Sequence, residues 1–383
     1  SSDVCSSDLI NPIEPARPGH EDTPQIDLFV SGAVPFMRYC VFLLFFICVL
    51  PVPLVWAAPA QQSFSDWQVT CNNQNFCVAR NTGEHRGLVM TLSRSAGAKT
   101  DASLRIDLGG LSAPPVKEPD IAPRLLLDKV PLKLTSQHWQ LTPWHLKTDD
   151  TATITTFLKT IQEGQALTLR GGKQTISLAG LKAALLFIDA QQKRVGSETA
   201  WIKKGDSPPL SVPPAPALKK VAVVNPTPTP LTHNELNDLL DYGTWRMNHS
   251  QCSLDPNRRE VRVTALTDDK ALMIISCEAG AYNTVDLAWL VSRKKPFAAR
   301  SVRLRLPFTP SSQSSDMELM NASFDEKTRE LTTLALGRGI GDCGIQTRWR
   351  FNGQRFRLVR YAEEPSCDNW NGPDAWPTLW ITR

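Results

Sequence analysis

The sequence has only one long apolar run and a mean hydropathy of −0.22, which excludes a chain that crosses a membrane many times. It contains no Cys-x-x-Cys, no His-Glu-x-x-His, no Gly-x-Ser-x-Gly, no Walker loop and no zinc-finger spacing. No short motif therefore supports thioredoxin-like redox chemistry, zincin hydrolysis, a nucleophile elbow or phosphate cradling by a P-loop. Charged residues make up 21% and hydrophobic residues 42%, so the chain is neither a disordered polymer nor a collagen-like repeat. A length of 383 residues has room for two or three domains.

The apolar run, Val41 to Trp56, follows Met37-Arg38 and precedes Ala58-Pro59-Ala60. A basic start, an apolar stretch and an Ala-x-Ala end describe a secretory signal peptide. A membrane-spanning helix needs about 20 apolar residues, and this run is shorter and carries Pro51 and Pro53. The expectation is a signal peptide over Met37 to Ala60, cleaved after Ala60, and a periplasmic or secreted protein. An uncleaved anchor is the alternative. Residues 1–36 begin SSDVCSSDL, with Ser-Ser-Asp twice, and read as a non-native extension. They are set aside from the fold.

Residues 1–60 hold two basic and six acidic residues, so residues 61–383 hold the other 40 basic and 32 acidic, a net charge of +8. That balance suits an anionic partner, and solubility alone would also account for it. Six cysteines remain after residue 60: Cys71, Cys77, Cys252, Cys277, Cys343 and Cys367. An even number in an exported chain reads as disulfides. Of the 15 connectivities that six cysteines allow, the expected one joins sequence neighbours: Cys71–Cys77, Cys252–Cys277 and Cys343–Cys367.

Ser207 to Pro230 carries eight prolines and reads as an extended linker. It separates an N-terminal domain, 61–206, from a C-terminal domain, 231–383, which holds two of the expected disulfides. Thr232 and Glu235 form a capping box, and Leu231 with Leu236 a hydrophobic staple, so a helix starts at Thr232. Leu236, Leu239 and Leu240 mark its apolar stripe, and Gly243 is expected to end it. After it the pattern has period two: Val261, Val263 and Ala265, then ALMIISC, then Val302, Leu304 and Leu306. The first domain alternates at Trp67, Val69 and Cys71, has a hairpin at Gly171-Gly172 and a helix over Ala179 to Gln192. The expected fold is mainly β, a β-rich α+β protein. It has two antiparallel, sandwich-like domains with short helices, stapled by disulfides.

Asn352-Gly353 is a two-residue hairpin signal. That turn pairs Arg350 with Arg355, Trp349 with Phe356, and Arg348 with Arg357. Thr347, Trp349, Phe351, Phe356 and Leu358 then share one face, and Arg348, Arg350, Arg355 and Arg357 the other. Opposed like charges destabilise a strand pair. Carboxylates from a neighbouring strand, open solvent or an anionic ligand must offset them, and the arginine fork suits carboxylate or phosphate. These four arginines are the candidate ligand-binding residues.

Other features read as structural. Gly339 to Gly344 spells G-x-G-x-x-G but precedes a strand, where a dinucleotide site needs a helix. Trp370, Trp376 and Trp380 read as core rather than as sugar-stacking platforms. His138 and His145 lack metal-ligand spacing. Glu363 and Glu364 are adjacent on a strand and point to opposite faces, which argues against a shared catalytic site. Arg293-Lys294-Lys295 belongs to no nucleic-acid-reading motif. No cofactor, metal or nucleic-acid partner is expected, and after cleavage no membrane span.

Three stretches resemble one family: DWQVTCNNQNFCVARNTGEHRGLVMTLSRSAG, IDAQQKRVGSETAW, and GRGIGDCGIQTRWRFNGQRFRLVRYAEEPSCDNW with the final WPTLW. It is the bacterial domain-of-unknown-function family 1176, and the resemblance covers nearly all of 61–383. The first domain also distantly resembles invasion-associated locus B proteins. The resemblance implies an envelope location and names no catalytic residue. The functional expectation is a binding module for an anionic envelope component or a protein partner, rather than an enzyme. A hydrolase with carboxylates between the domains, and a structural partner subunit, are the alternatives.

Overall fold

A computed structural model describes residues 58–99, 102–111, 120–222, 227–310 and 314–383. Residues 1–36 and all but the end of the expected signal peptide lie outside the described residues. Among the described residues no helix is long and apolar enough to cross a membrane.

The N-terminal half begins with five antiparallel strands: β1 (Ala60–Phe64), β2 (Trp67–Cys71), β3 (Cys77–Asn81), β4 (Leu88–Arg94) and β5 (Ala102–Leu108). The short strands β6 (Leu125–Leu127), β7 (Val130–Pro131), β8 (Gln140–Leu141) and β9 (His145–Thr148) follow, then helix α1 (Thr151–Ile161). A hairpin of β10 (Ala166–Leu169) and β11 (Thr175–Ser177) leads to helix α2 (Leu181–Gln191). One sheet runs β1-β2-β3-β4-β5-β9-β8 and a smaller one β11-β10-β6-β7. Trp67, Leu88, Met90, Leu104 and Ile106 from the large sheet share a core with Ile154 and Ile161 of α1 and Leu181, Leu185 and Ile188 of α2. The expected hairpin and second helix are both present. Asp150 caps α1 by accepting from Thr153 N at 2.8 Å.

In the C-terminal half, helix α3 (His233–Asn248) is followed by β12 (Val261–Ala265), β13 (Lys270–Ala279), β14 (Thr284–Ser292) and β15 (Ala299–Ser301). The short pieces β16 (Leu304–Arg305), β17 (Asp316–Met317) and β18 (Leu319–Met320) come next. The last sheet holds β19 (Ser323–Asp325), β20 (Glu330–Leu336), β21 (Gly344–Phe351), β22 (Phe356–Glu364) and β23 (Thr378–Ile381), in that order. Leu272, Ile274, Ala288 and Leu290 face this sheet's Leu331, Trp349, Phe351, Phe356 and Leu358 in one core, the two-layer arrangement of a sandwich. Ala271, Met273, Ile275 and Val291 face the other way, under Leu239 and Met247 of α3. With both faces covered, ALMIISC reads as a continuous apolar run.

The capping box at Thr232 and Glu235 is formed. The expected end at Gly243 is not: α3 continues to Asn248. A Cβ at Gly243 would stand 2.5 Å from Val261 Cγ1 and 3.3 Å from Met273 Sδ. Glycine lets the helix lie close on the sheet, and burial there outweighs the cost of about 1 kcal/mol for glycine inside a helix. All three cysteine pairs join sequence neighbours, with S–S distances of 2.04 Å for Cys71–Cys77, 2.00 Å for Cys252–Cys277 and 2.03 Å for Cys343–Cys367.

The halves meet along β23. Asn73 N donates to Leu379 O (3.1 Å), Asn73 Nδ2 to Ile381 O (2.9 Å), and Ile381 N to Asn73 Oδ1 (2.9 Å). One side chain thus occupies backbone groups that an edge strand leaves unpaired. In the proline-rich segment, Pro208 and Val212 have extended backbone on either side of one short turn at Pro209–Ser211. Its described residues are tied down at several places, among them Pro216 O, which accepts from Gln74 Nε2 at 3.5 Å. Val221 N and Lys219 O bracket the carbonyl and N–H of Arg383. The buried Arg293 donates to Thr229 O and Pro230 O.

Candidate functional site

The β21–β22 hairpin is where the sequence placed the ligand. Its inner face is as expected: Thr347, Trp349, Phe351, Phe356 and Leu358 are buried. Its register is not. Phe351 pairs with Phe356, Arg350 with Arg357 and Trp349 with Leu358. The turn is four residues long, because the Asn352 carboxamide oxygen accepts from both Gln354 N (3.1 Å) and Arg355 N (3.0 Å). Asn352 N in turn donates to Arg355 O at 3.1 Å. Arg355 therefore belongs to the turn and not to a pair with Arg350. The shift is by two residues, so the faces survive it; a shift by one would have inverted them.

A bulge between Trp349 and Arg348 then pairs Arg348 with Arg360. Arg360 was not read as a site residue, because its place opposite Arg348 depends on one extra residue in β22. The outer face thus carries two directly opposed arginine pairs, Arg350 with Arg357 and Arg348 with Arg360. Two carboxylates partly offset them. Glu330, opposite Arg350 on β20, lies 2.6 Å from Arg350 Nη2. Asp374 lies 3.2 Å from Arg348 Nη2 at an exposed position. Among the described residues Arg360 donates to neutral acceptors alone: Gln346 Oε1 (2.5 Å), Thr378 Oγ1 (3.2 Å) and Trp376 O (3.1 Å). Burial and then the charge of Arg348 hold its guanidinium below the ordinary arginine value. Arg355 and Arg357 are exposed, and among the described residues no carboxylate lies within ion-pair distance of either.

The remaining sequence features fall as follows. Gly341 (φ 70°) lies in the β20–β21 connection and Gly344 (φ 137°) opens β21, and no helix follows. Gly344 permits a close approach, since a Cβ there would stand 2.0 Å from Ala335 O. Trp376 and Trp380 are buried, and Trp370 packs edge-on against His85 with centroids 6.0 Å apart. Among the described residues no group of three or more His, Cys, Asp or Glu is arranged to hold a metal ion. Arg293 is a buried structural residue, while Lys295 pairs with Asp238 at 2.8 Å.

Glu363 and Glu364 do point to different partners. Glu363 accepts from Tyr361 Oη at 3.0 Å. Glu364 lies 2.8 Å from Arg80 Nη2, in a polar cluster between the halves. Arg80 Nη1 also donates to Asp368 Oδ2 at 2.5 Å. His85 Nδ1 accepts from Gly87 N at 3.0 Å, which leaves its proton on Nε2, 3.5 Å from Asp368 Oδ2. Burial is the largest influence on both carboxyls. It leaves Glu364 above the usual range despite Arg80. At Asp368 the His85 hydrogen bond and the Arg80 charge overcome it and hold the group below that range. Sequence gave no sign of this cluster, because Arg80 and Asp368 are 288 residues apart.

The fold defines a class, a β-rich protein of antiparallel sheets stapled by three disulfides. Residues 61–383 match the family described as "Protein of unknown function (DUF1176)", and the chain belongs to that family. It is similar to the uncharacterized protein YpfG of Escherichia coli (strain K12). The two are 77% identical over 347 residues, which is 91% of this chain and all of that protein. No solved structure matches.

Proposed function

We propose that this is an exported binding module for an anionic component of the cell envelope, and that the outer face of the β21–β22 hairpin is its binding surface. The observation that carries the reading is the direct opposition of Arg350 to Arg357 and of Arg348 to Arg360. Such pairs cost stability, and the two carboxylates on the face do not match five arginines. An anion bound through guanidinium forks supplies the missing charge. Export is supported by the basic, apolar, Ala-x-Ala pattern before residue 61 and by three disulfides, which persist in oxidising compartments.

The hydrolase alternative would require a free carboxylate between the halves, and Glu364 and Asp368 are both held on Arg80. The test uses Arg355→Glu with Arg357→Glu, since among the described residues neither side chain has a carboxylate partner to lose. Retention of anionic envelope polymers by the oxidised protein should fall to background at physiological salt. Retention equal to that of the unaltered protein would rule this face out.

A further inference from the structure

An open cavity of about 830 Å³ lies where loops of the two halves meet, away from the arginine hairpin. The first half supplies the β3–β4 turn, with His85, and the β10–β11 turn, with Gln174. The second supplies Arg338 and the segment after β22, with Asp368. Small-molecule sites have volumes of about 300–1,000 Å³ and favour such junctions.

Two acceptors at the cavity wall have no donor. Asp368 meets both Arg80 Nη1 and His85 Nε2 through Oδ2, which leaves Oδ1 buried and unpaired. Gln174 Oε1 is also buried without a partner, and among the described residues its side chain makes no other hydrogen bond. Buried acceptors without donors are costly and rare in native folds. Two of them at one cavity point to a ligand that donates hydrogen bonds. The terminal torsion of Gln174 is soft, so a small turn of the carboxamide brings it to such a ligand.

Charge narrows the class further. Three cations line the cavity, Arg86, Lys173 and Arg338, against two carboxylates, Glu84 and Asp368. Glu84 is already held by Arg86 at 2.6 Å, and Asp368 by Arg80. A cationic ligand would enter against this balance. An anion has no proton to offer the two unpaired oxygens. Neutral hydroxyls satisfy both conditions. We propose that the cavity binds a neutral saccharide, whose hydroxyls donate to Asp368 Oδ1 and Gln174 Oε1. The site goes beyond the anion-binding reading and does not depend on it.

The test is calorimetric titration of the oxidised full chain with maltose, cellobiose and diacetylchitobiose. Chitobiose, which bears amines, and cellobionic acid serve as charged probes. At least one neutral disaccharide should bind with a Kd of about 1 mM or below, and more tightly than either charged probe. Gln174→Met keeps the side-chain length and removes the acceptor. It should weaken that sugar about tenfold without lowering the melting temperature, because no hydrogen bond of the fold is lost. Gly109→Leu tests the space itself. A Cβ at Gly109, which lines the cavity, meets no atom within 4 Å, so the larger side chain should fill the cavity without a clash and abolish binding. The proposal would be overturned by no binding of any of the three disaccharides, by tighter binding of a charged probe, or by unchanged binding in either variant. Each of these results leaves the hairpin reading to its own test.

Discussion

Arg80 Nη1 donates to Asp368 Oδ2 at 2.5 Å, and this bond joins strand β3 of the first half to the segment after β22 in the second. With Glu364 on the other terminal guanidinium nitrogen, a single side chain bridges two carboxylates at the contact between the halves. The geometry explains how a chain with a proline-rich middle holds both halves against each other.

Removing Arg80 leaves those two carboxylates buried without their cation, Glu364 with the Ser366 N–H and Asp368 beside His85. Breaking a buried pair in this way costs about 3–5 kcal/mol, so Arg80→Met should lower stability by that amount in urea unfolding. Adding Glu364→Gln should restore part of the loss, because one uncompensated charge disappears. Additive losses would show that the two residues do not act as a unit.

Acid should loosen the start of α3. Arg293 is the main cause of the low pKa of Glu235, and the Thr232 N–H adds to it; together they bring the carboxyl down to about 2, from an ordinary 4.5. A depressed folded-state pKa contributes stability that is present in full above the unfolded value and is lost as pH falls through the folded one. The stability difference between the unaltered protein and Glu235→Gln should therefore be constant above about pH 5 and shrink between pH 4.5 and 2. A difference that does not change across that window would mean that the Arg293 contact does not form in solution.

Features that depend on neighbours in sequence were legible. The Thr232 capping box, the alternation through β12 and the apolar face of the last hairpin follow from spacing, while the pairing of adjacent cysteines was one expectation among 15 connectivities. What was missed depends on tertiary contacts. Gly243 reads as a stop until the sheet beneath it is known. The Asn352 turn is four residues long because one carboxamide accepts two N–H groups. Arg360 reaches Arg348 only through a bulge. The Arg80 cluster has no local signature at all, since its partners come from opposite ends of the chain.

The close fit of α3 makes Gly243→Ala a sharp test of the packing. In an open helix the change would stabilise by about 1 kcal/mol. Here the new methyl meets Val261, and overpacking of this kind costs about 1–3 kcal/mol. The substitution should lower the melting temperature, and Val261→Ala in the same chain should recover part of the loss by making room. A rise in melting temperature on Gly243→Ala alone would mean that the helix stands off the sheet.

Deep in the first half, Arg94 Nη1 lies 3.1 Å from Asp189 Oδ1, while Asp189 Oδ2 accepts from Trp201 N (2.8 Å) and Ile202 N (3.0 Å). Arg194, also fully buried, donates to Thr199 Oγ1 and to the carbonyls of Ser95 and Gly97. Asp189 thus contacts the Arg94 guanidinium and acts on that of Arg194 through its charge alone. Burial and then the charge of Arg194 bring the Arg94 guanidinium down to about 9. Asp189→Asn keeps the shape but leaves two buried cations with no counter-charge, so the loss should be about 3–5 kcal/mol. The same substitution also weakens the hold on Trp201 and Ile202. Amide exchange over 199–203 should therefore speed up more than the global loss alone explains. Uniform acceleration across the whole first half would instead mean that Asp189 acts only on overall stability and does not anchor that loop.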